Sequence, residues 1–407
     1  MSVFTSADFL LPKEQYLSTW PVIACDQFTS EKSYWERLAE QVGNHPSALH
    51  LIYPEVYLSE KMDGRIQNIN ASMQQVLSSQ IMQDYRDCFV YIERELMNGS
   101  IRRGLLGVID LEAYSFQPDA DTPVRATEKT VPERIPPRVR IRENAPLELS
   151  HVLMFCDDPM DTVLGPLEAA KEDLPVLYDL ELMEHGGHLK GYLISGTYAS
   201  ETQARIDSYE AVRASKMPAS PVFYLVGDGN HSLATAKTCY DSLKREGAGQ
   251  ENTERARYAM VELGNIRDEA FAFEPIHRLI TETNVAKLLQ DIREICSEKG
   301  YSVRWTAGGK QGLLYLNQSL GQLPVGILQN WLDKYLQTEP GKIDYIHGED
   351  SLRRLSEQEN TLGLELPPIG KDAFFDAIER DGVLPRKTFS IGHAQEKRYY
   401  LEARRIR

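Results

Sequence analysis

The chain has 407 residues, of which 42% are apolar and 26% charged, with a formal net charge of −15. That length allows two or three domains and a large core without disulfides. The acidic balance excludes non-specific binding to DNA, RNA or an anionic membrane, because such partners are drawn to basic surfaces.

In chain order, Thr29-Ser30 can cap a helix carrying Tyr34, Trp35, Leu38 and Val42, stopped by Gly43-Asn44. Ile66, Ile69, Met73, Val76 and Leu77 repeat at helical spacing and predict a second helix. Cys88 to Leu96 and Ile101 to Tyr114 are extended runs, and the Asn98-Gly99 between them predicts a type I′ hairpin. Residues 117–146 then change character. Pro118, Pro123, Pro132, Pro136, Pro137 and Pro146 rule out a long helix, and Arg125, Arg134, Arg138, Arg140 and Arg142 make this the most basic stretch. It reads either as a solvated, proline-stiffened loop or as an active-site loop closing over an anionic ligand. Pro175 to Leu182 and His188 to Ser195 predict a hairpin turned by Gly186-Gly187. His185 and His188 flank that turn without a third metal ligand nearby, as turn histidines on a surface do. A polar helix is expected from Ala199 to Ser215.

The most informative segment follows. The apolar run Val222 to Val226 meets the tight turn Gly227-Asp228-Gly229-Asn230, and Leu233, Ala236, Tyr240 and Leu243 then line one face of a helix that stops at Gly247. A strand turning sharply into a helix leaves backbone N–H groups free to hold an anion such as phosphate. Asp228 at that mouth has the chemistry to hold Mg²⁺ or take a proton, and His231 the chemistry to bind phosphate. The plainer alternative is an ordinary turn, with Asn230 as the helix cap and Asp228 fixing the loop.

Tyr258 to Leu263 reads as a strand, and Phe273 to Leu279 as a break into something new. Beyond Thr281 a helix carries Val285, Leu288, Leu289, Ile292 and Ile295, and Gly312 to Leu316 suits a strand. Helical stretches at 327–336 and 373–378 and an extended end at 388–406 complete the chain. A boundary near residue 280 divides it into domains 1–280 and 281–407, the second a smaller α+β module serving as a lid or dimerisation unit. Homo-oligomerisation is compatible with this organisation.

The sequence lacks a Gly-x-x-x-x-Gly-Lys-Ser/Thr loop, a Gly-x-Gly-x-x-Gly turn after a strand, a Gly-x-Ser-x-Gly elbow and a His-Glu-x-x-His pair. Cys25, Cys88, Cys156, Cys239 and Cys296 are scattered and form no Cys-x-x-Cys pair, which suits reduced thiols. Neither a signal peptide nor an apolar run of membrane-spanning length is visible, so the expectation is a cytoplasmic protein without membrane partners.

Taken together, the motifs resemble a prokaryotic family numbered 1015 among domains of unknown function. That family carries Ala-Asp-Gly-His-His-Arg after an apolar strand, where this chain has Gly227-Asp228-Gly229-Asn230-His231-Ser232. Its other motifs are similar to Arg125-Ala126-Thr127-Glu128-Lys129-Thr130, Pro275-Ile276-His277-Arg278-Leu279 and Pro385-Arg386-Lys387-Thr388, with Ile23-Ala24-Cys25-Asp26 at its N-terminal strand. The order is kept across nearly the whole length.

The Asp-Gly-x-His element looks in turn like that of the ParB and sulfiredoxin-like superfamily, whose members include nucleotide-binding proteins and a kinase acting on free serine. The resemblance implies an α+β fold in which a mixed-sheet ParB/sulfiredoxin-like core occupies 1–280. It also implies a nucleotide, ATP or ADP with Mg²⁺, held at the helix opening at His231, and phosphoryl transfer to a small hydroxyl compound. The catalytic candidates are Asp228, also the metal ligand, His231 and Glu128. Gly229, Asn230, Ser232, Arg125, Thr130, His277, Arg278 and Lys387 are the candidate nucleotide- and phosphate-binding residues. Asn230 and Ser232 stand where the family has His and Arg, so either another cation neutralises phosphate, with Arg125, Arg278 and Lys387 as substitutes, or the nucleotide function has drifted. A nucleotide-responsive regulatory protein is the alternative. Asp26 reads as a turn residue.

Overall fold

The computed structural model describes residues 2–59, 62–216, 220–247, 249–385 and 387–407, so Arg386 of the Pro385–Thr388 segment lies outside the described residues. Runs rich in β-branched and aromatic residues form strands, and segments with helical spacing form helices, giving the mixed α/β chain that an α+β reading expects.

The chain divides into two units. The first comprises Met1–Ala126, Thr130–Phe271 and His393–Arg407, and the second Thr127–Lys129 and Ala272–Gly392. A boundary at residue 280 would cut the strand Phe273–Thr281. That strand belongs wholly to the second unit, where it pairs with Lys342–His347, Leu362–Glu365 and Phe389–Ile391. The C-terminal residues return to the first unit: Tyr399–Tyr400 pairs with Val22–Ile23, and Arg404–Arg405 with Leu147–Glu148.

Among the described residues the first unit has an 11-stranded mixed sheet. Its inner order runs Met82–Glu95, Ile101–Asp110, Tyr258–Asn265, Leu153–Cys156, Tyr224–Asp228 and Val124–Ala126. Side chains alternate across a strand, so a stretch buried on both faces reads as continuously apolar. Residues 89–92 show this: Phe89 and Tyr91 join one core with Leu105, Met154, Val226 and Leu233, while Val90 and Ile92 join the other with Trp20, Trp35 and Ile69. The first of these cores takes the apolar face of the helix Asn230–Glu246.

The Asn98-Gly99 turn departs from type I′. Only Gly99 has positive φ, at 79°, and the Gly99 and Leu96 amides bond the Leu96 and Ser100 carbonyls. Asn98 instead accepts from the Ser100 amide at 2.9 Å, a local bond that holds the longer loop.

The tail is held by buried charge. Arg398, with 4% of its side chain exposed, donates to Glu262 at 2.9 Å, Glu402 at 2.7 Å and the Ser150 carbonyl at 2.6 Å. In the second unit a sheet in the order Lys310–Leu316, Cys296–Ala307, Leu362–Glu365, Phe273–Thr281, Lys342–His347 packs with Val285–Asp291, Pro324–Thr338, Glu349–Leu355 and Lys371–Asp381. Ile280, Leu288, Ile292, Val303, Leu328, Leu332 and Phe374 are buried in it. No helix among the described residues is long and apolar enough to cross a membrane.

Candidate functional site

The site strand, Tyr224–Asp228, runs parallel to Val124–Ala126 as far as Val226 and antiparallel to Leu153–Cys156, where Asp228 registers with Leu153. Gly229 follows at φ 77° and is the cap of the site helix, Asn230–Glu246. The cap has no side chain to offer, and no side-chain cap bond forms. The helix therefore opens with amides and the positive end of its dipole available to an anion. Gly229 is required twice over. Its φ suits glycine, and a Cβ there would lie 3.0 Å from Val152 Cα and 3.3 Å from His151 Cδ2.

Asp228 holds this turn. One carboxylate oxygen accepts from the Gly229 amide at 2.9 Å, and the other pairs with Lys397 Nζ at 3.0 Å. Lys397 arrives from the tail, two residues before the strand that pairs with Val22–Ile23.

That short pairing also brings Asp26 and Tyr400 to His151, which is 7% exposed. His151 Nε2 lies 3.5 Å from Asp26 Oδ2, and its Nδ1 lies 2.6 Å from the Tyr400 hydroxyl. Tyr400 accepts from the Cys25 amide at 3.2 Å and donates to Cys25 Sγ at 3.1 Å. Asp26 can only accept, so Nε2–H is directed to its carboxylate, and the contact of Nδ1 with the Tyr400 hydroxyl orients the ring. Burial opposes charge on both partners, but each outweighs it for the other. Asp26, further helped by bonds from His151 and Gln27 and by Lys397, is held well below the usual carboxylate range. His151 is raised by Asp26 and, less, by Asp228 and Glu55. Burial, with Asp26 and Glu55 nearby, pushes the Cys25 thiol well up, so it is not a thiolate nucleophile.

The proline- and arginine-rich segment supplies the other side. It folds into the short helix Ile135–Arg142, which packs against the site helix. The Val131 amide donates to His231 Nε2 at 3.1 Å, so the neutral ring carries its proton on Nδ1. Burial, then Arg138 and Arg134, pulls the His231 pKa down to about 4. A neutral ring with Nε2 occupied supplies no positive charge near pH 7. Positive charge comes instead from Lys397, from Arg138, which is paired to Glu55, and from Arg134, which is exposed and has no acidic partner among the described residues.

The sequence-derived candidates are thus divided. Asp228, Gly229, Asn230, His231 and Ser232 share the helix mouth. Arg125 turns to the Thr122 and Ser220 carbonyls, at 3.0 and 3.1 Å, and to the Ser220 hydroxyl. Thr130 is buried. Glu128, His277, Arg278 and Lys387 belong to the second unit. There Glu128 accepts from the Thr388 amide at 3.3 Å. Arg278, fully buried, donates to Gln329 at 2.7 Å, Ile276 O at 2.6 Å and Lys387 O at 3.0 Å, so it has no surface to present. Sequence reasoning missed His151, Tyr400 and Lys397, and read Asp26 as a turn residue. No spacing links these positions; only strand pairing does. Among the described residues no three His, Cys, Asp or Glu side chains gather as a metal site. All five cysteines are free thiols.

Fold and site together define a two-unit mixed α/β protein with an acid–base cluster beside an uncapped helix N terminus. The chain belongs to the family described as protein of unknown function (DUF1015), whose model matches residues 7–400. Among curated proteins none matches it. Solved structures similar to it include C-terminally truncated SbnI from Staphylococcus aureus, at 12% identity and TM-score 0.36, covering 70% of this chain and 82% of that one. A conserved hypothetical protein from Pyrococcus furiosus is 12% identical with TM-score 0.35, covering 74% and 94%. A free serine kinase in complex with AMP is 9% identical with TM-score 0.37, covering 72% and 90%. Likenesses of this degree assign neither fold nor function here. The relation to ParB and sulfiredoxin-like proteins rests on the Asp-Gly-x-His element alone.

Proposed function

We propose that this protein transfers a phosphoryl group from a nucleotide, ATP or ADP, to a small hydroxyl-bearing metabolite, with free serine as the first acceptor to test. The observation that carries this reading is the uncapped start of the site helix, set beside Asp228–Lys397 and the Asp26–His151 pair. Phosphoryl transfer needs an anion cradle, charge neutralisation and a base positioned on the attacking hydroxyl. The amides at Asn230–Ser232 make the cradle, Lys397 and Arg134 neutralise phosphate, and the Asp26–His151 pair takes up the hydroxyl proton. The Tyr400 bond at 2.6 Å orients the ring. Mg²⁺ fits the donor set when it is carried mainly by the nucleotide phosphates, with the Asp228 or Asp26 carboxylate as protein ligand, and it supplies neutralisation of phosphate charge.

The test is incubation of purified protein with Mg²⁺ and ATP, ADP or CTP against serine and other hydroxy compounds, with phosphorylated product read by mass spectrometry. Asp228→Ala and His151→Asn should abolish product formation. Full turnover in both variants would remove the basis for these roles. Nucleotide binding with hydrolysis that no acceptor accelerates would favour the regulatory alternative.

A further inference from the structure

The second unit contains a cavity of about 410 Å³, within the size range of small-molecule sites. His277 lines it and is 2% exposed. Its Nδ1 accepts from the Leu366 amide at 3.2 Å, so the proton sits on Nε2, which has no protein partner among the described residues. Burial keeps this ring neutral by lowering its pKa. On the lining of the cavity, that Nε2–H can donate to a ligand.

The other charged groups on the lining differ in how far they are satisfied. Arg304 uses one terminal nitrogen on both Glu365 oxygens, at 3.2 and 3.3 Å, which leaves its remaining N–H groups for a further acceptor. Glu349 is neutralised by Arg353 at 2.8 Å. Glu274, exposed at the rim, has no cationic partner among the described residues. Two donors with N–H groups to spare and one carboxylate without a cationic partner among the described residues thus line a cavity of small-molecule size.

From this complementarity we infer that the cavity binds a free amino acid: its carboxylate meets Arg304 and His277 Nε2–H, and its ammonium meets Glu274. A charge-assisted hydrogen bond stabilises such a complex by an amount worth about tenfold or more in affinity. The site lies within the second unit and is independent of the phosphotransfer reading.

Calorimetric titration of the full chain with individual free amino acids tests it. At least one should bind, and Glu274→Gln, which changes an exposed side chain, should weaken it about tenfold or more, as should Arg304→Gln. Asp228→Ala should leave the affinity unchanged, because that residue is in the first unit. Ethanolamine and acetate, each carrying one of the two charged groups, should bind far more weakly. The inference is overturned if no amino acid binds, if ethanolamine alone matches the amino acid, or if binding is lost in Asp228→Ala but kept in both cavity variants. That last result would place the amino acid at the proposed acceptor site.

Discussion

Replacing Gly229 by Ala separates the backbone's demand at the helix mouth from the packing around it. Gly229 and Gly247 bracket the same helix, both in the left-handed region, at φ 77° and 65°. An alanine at either position meets the left-handed strain, on the order of 1–2 kcal/mol. At Gly247 a Cβ would enter open space, so that strain is the whole expected cost. At Gly229 it would also sit 3.0 Å from Val152 Cα and 3.1 Å from Val152 Cγ2, so Val152 would have to give by a few tenths of an ångström. Overpacking of this kind adds roughly 1–3 kcal/mol. Gly229→Ala should therefore be less stable than Gly247→Ala by about that increment in urea unfolding followed by circular dichroism. Its Cβ would also press on the His151 ring at 3.3 Å and disturb the 3.5 Å approach to Asp26, so turnover should fall while Gly247→Ala keeps it. Equal stability of the two variants would refute the packing reasoning at the turn.

His231 titrates near 4 in the fold against about 6.5 unfolded, so the stability it contributes is complete above about 6.5 and lost as the pH falls towards 4. The span amounts to roughly 3 kcal/mol, and His231→Asn should flatten that part of the stability–pH curve; a slope unchanged by the substitution would rule the residue out as its source. His151 is raised by Asp26, so the acidic limb of any kcat profile should lie above the ordinary imidazole value of about 6.5. Asp26→Asn should lower the rate and move that limb to lower pH, and a limb that stays put would place the base elsewhere. Arg398→Met should cost about 3–5 kcal/mol in urea titration, because Glu402, 1% exposed, loses its counter-charge and Glu262, 2% exposed, keeps only Arg102 at 3.8 Å; a loss under about 1 kcal/mol would mean water or protonation relieves them.

Local chemistry determined the elements that need only local signals. The apolar run before Gly227, the helical spacing from Leu233 to Leu243 and the glycines at 229 and 247 mark the site strand and helix, and both form there. The basic proline-rich stretch was equally visible, and it comes to lie against the site helix. What the cluster contains was decided by pairings of two residues each, Val22–Ile23 with Tyr399–Tyr400 among them, too short to leave a period in the sequence. Those pairings carry Asp26, Tyr400 and Lys397 to His151 and Asp228 from opposite ends of the chain. Charge was misleading for the same reason. Arg125 and Arg278 look like anion ligands in one dimension, but burial commits them to carbonyls and an amide, and residue type alone does not reveal burial.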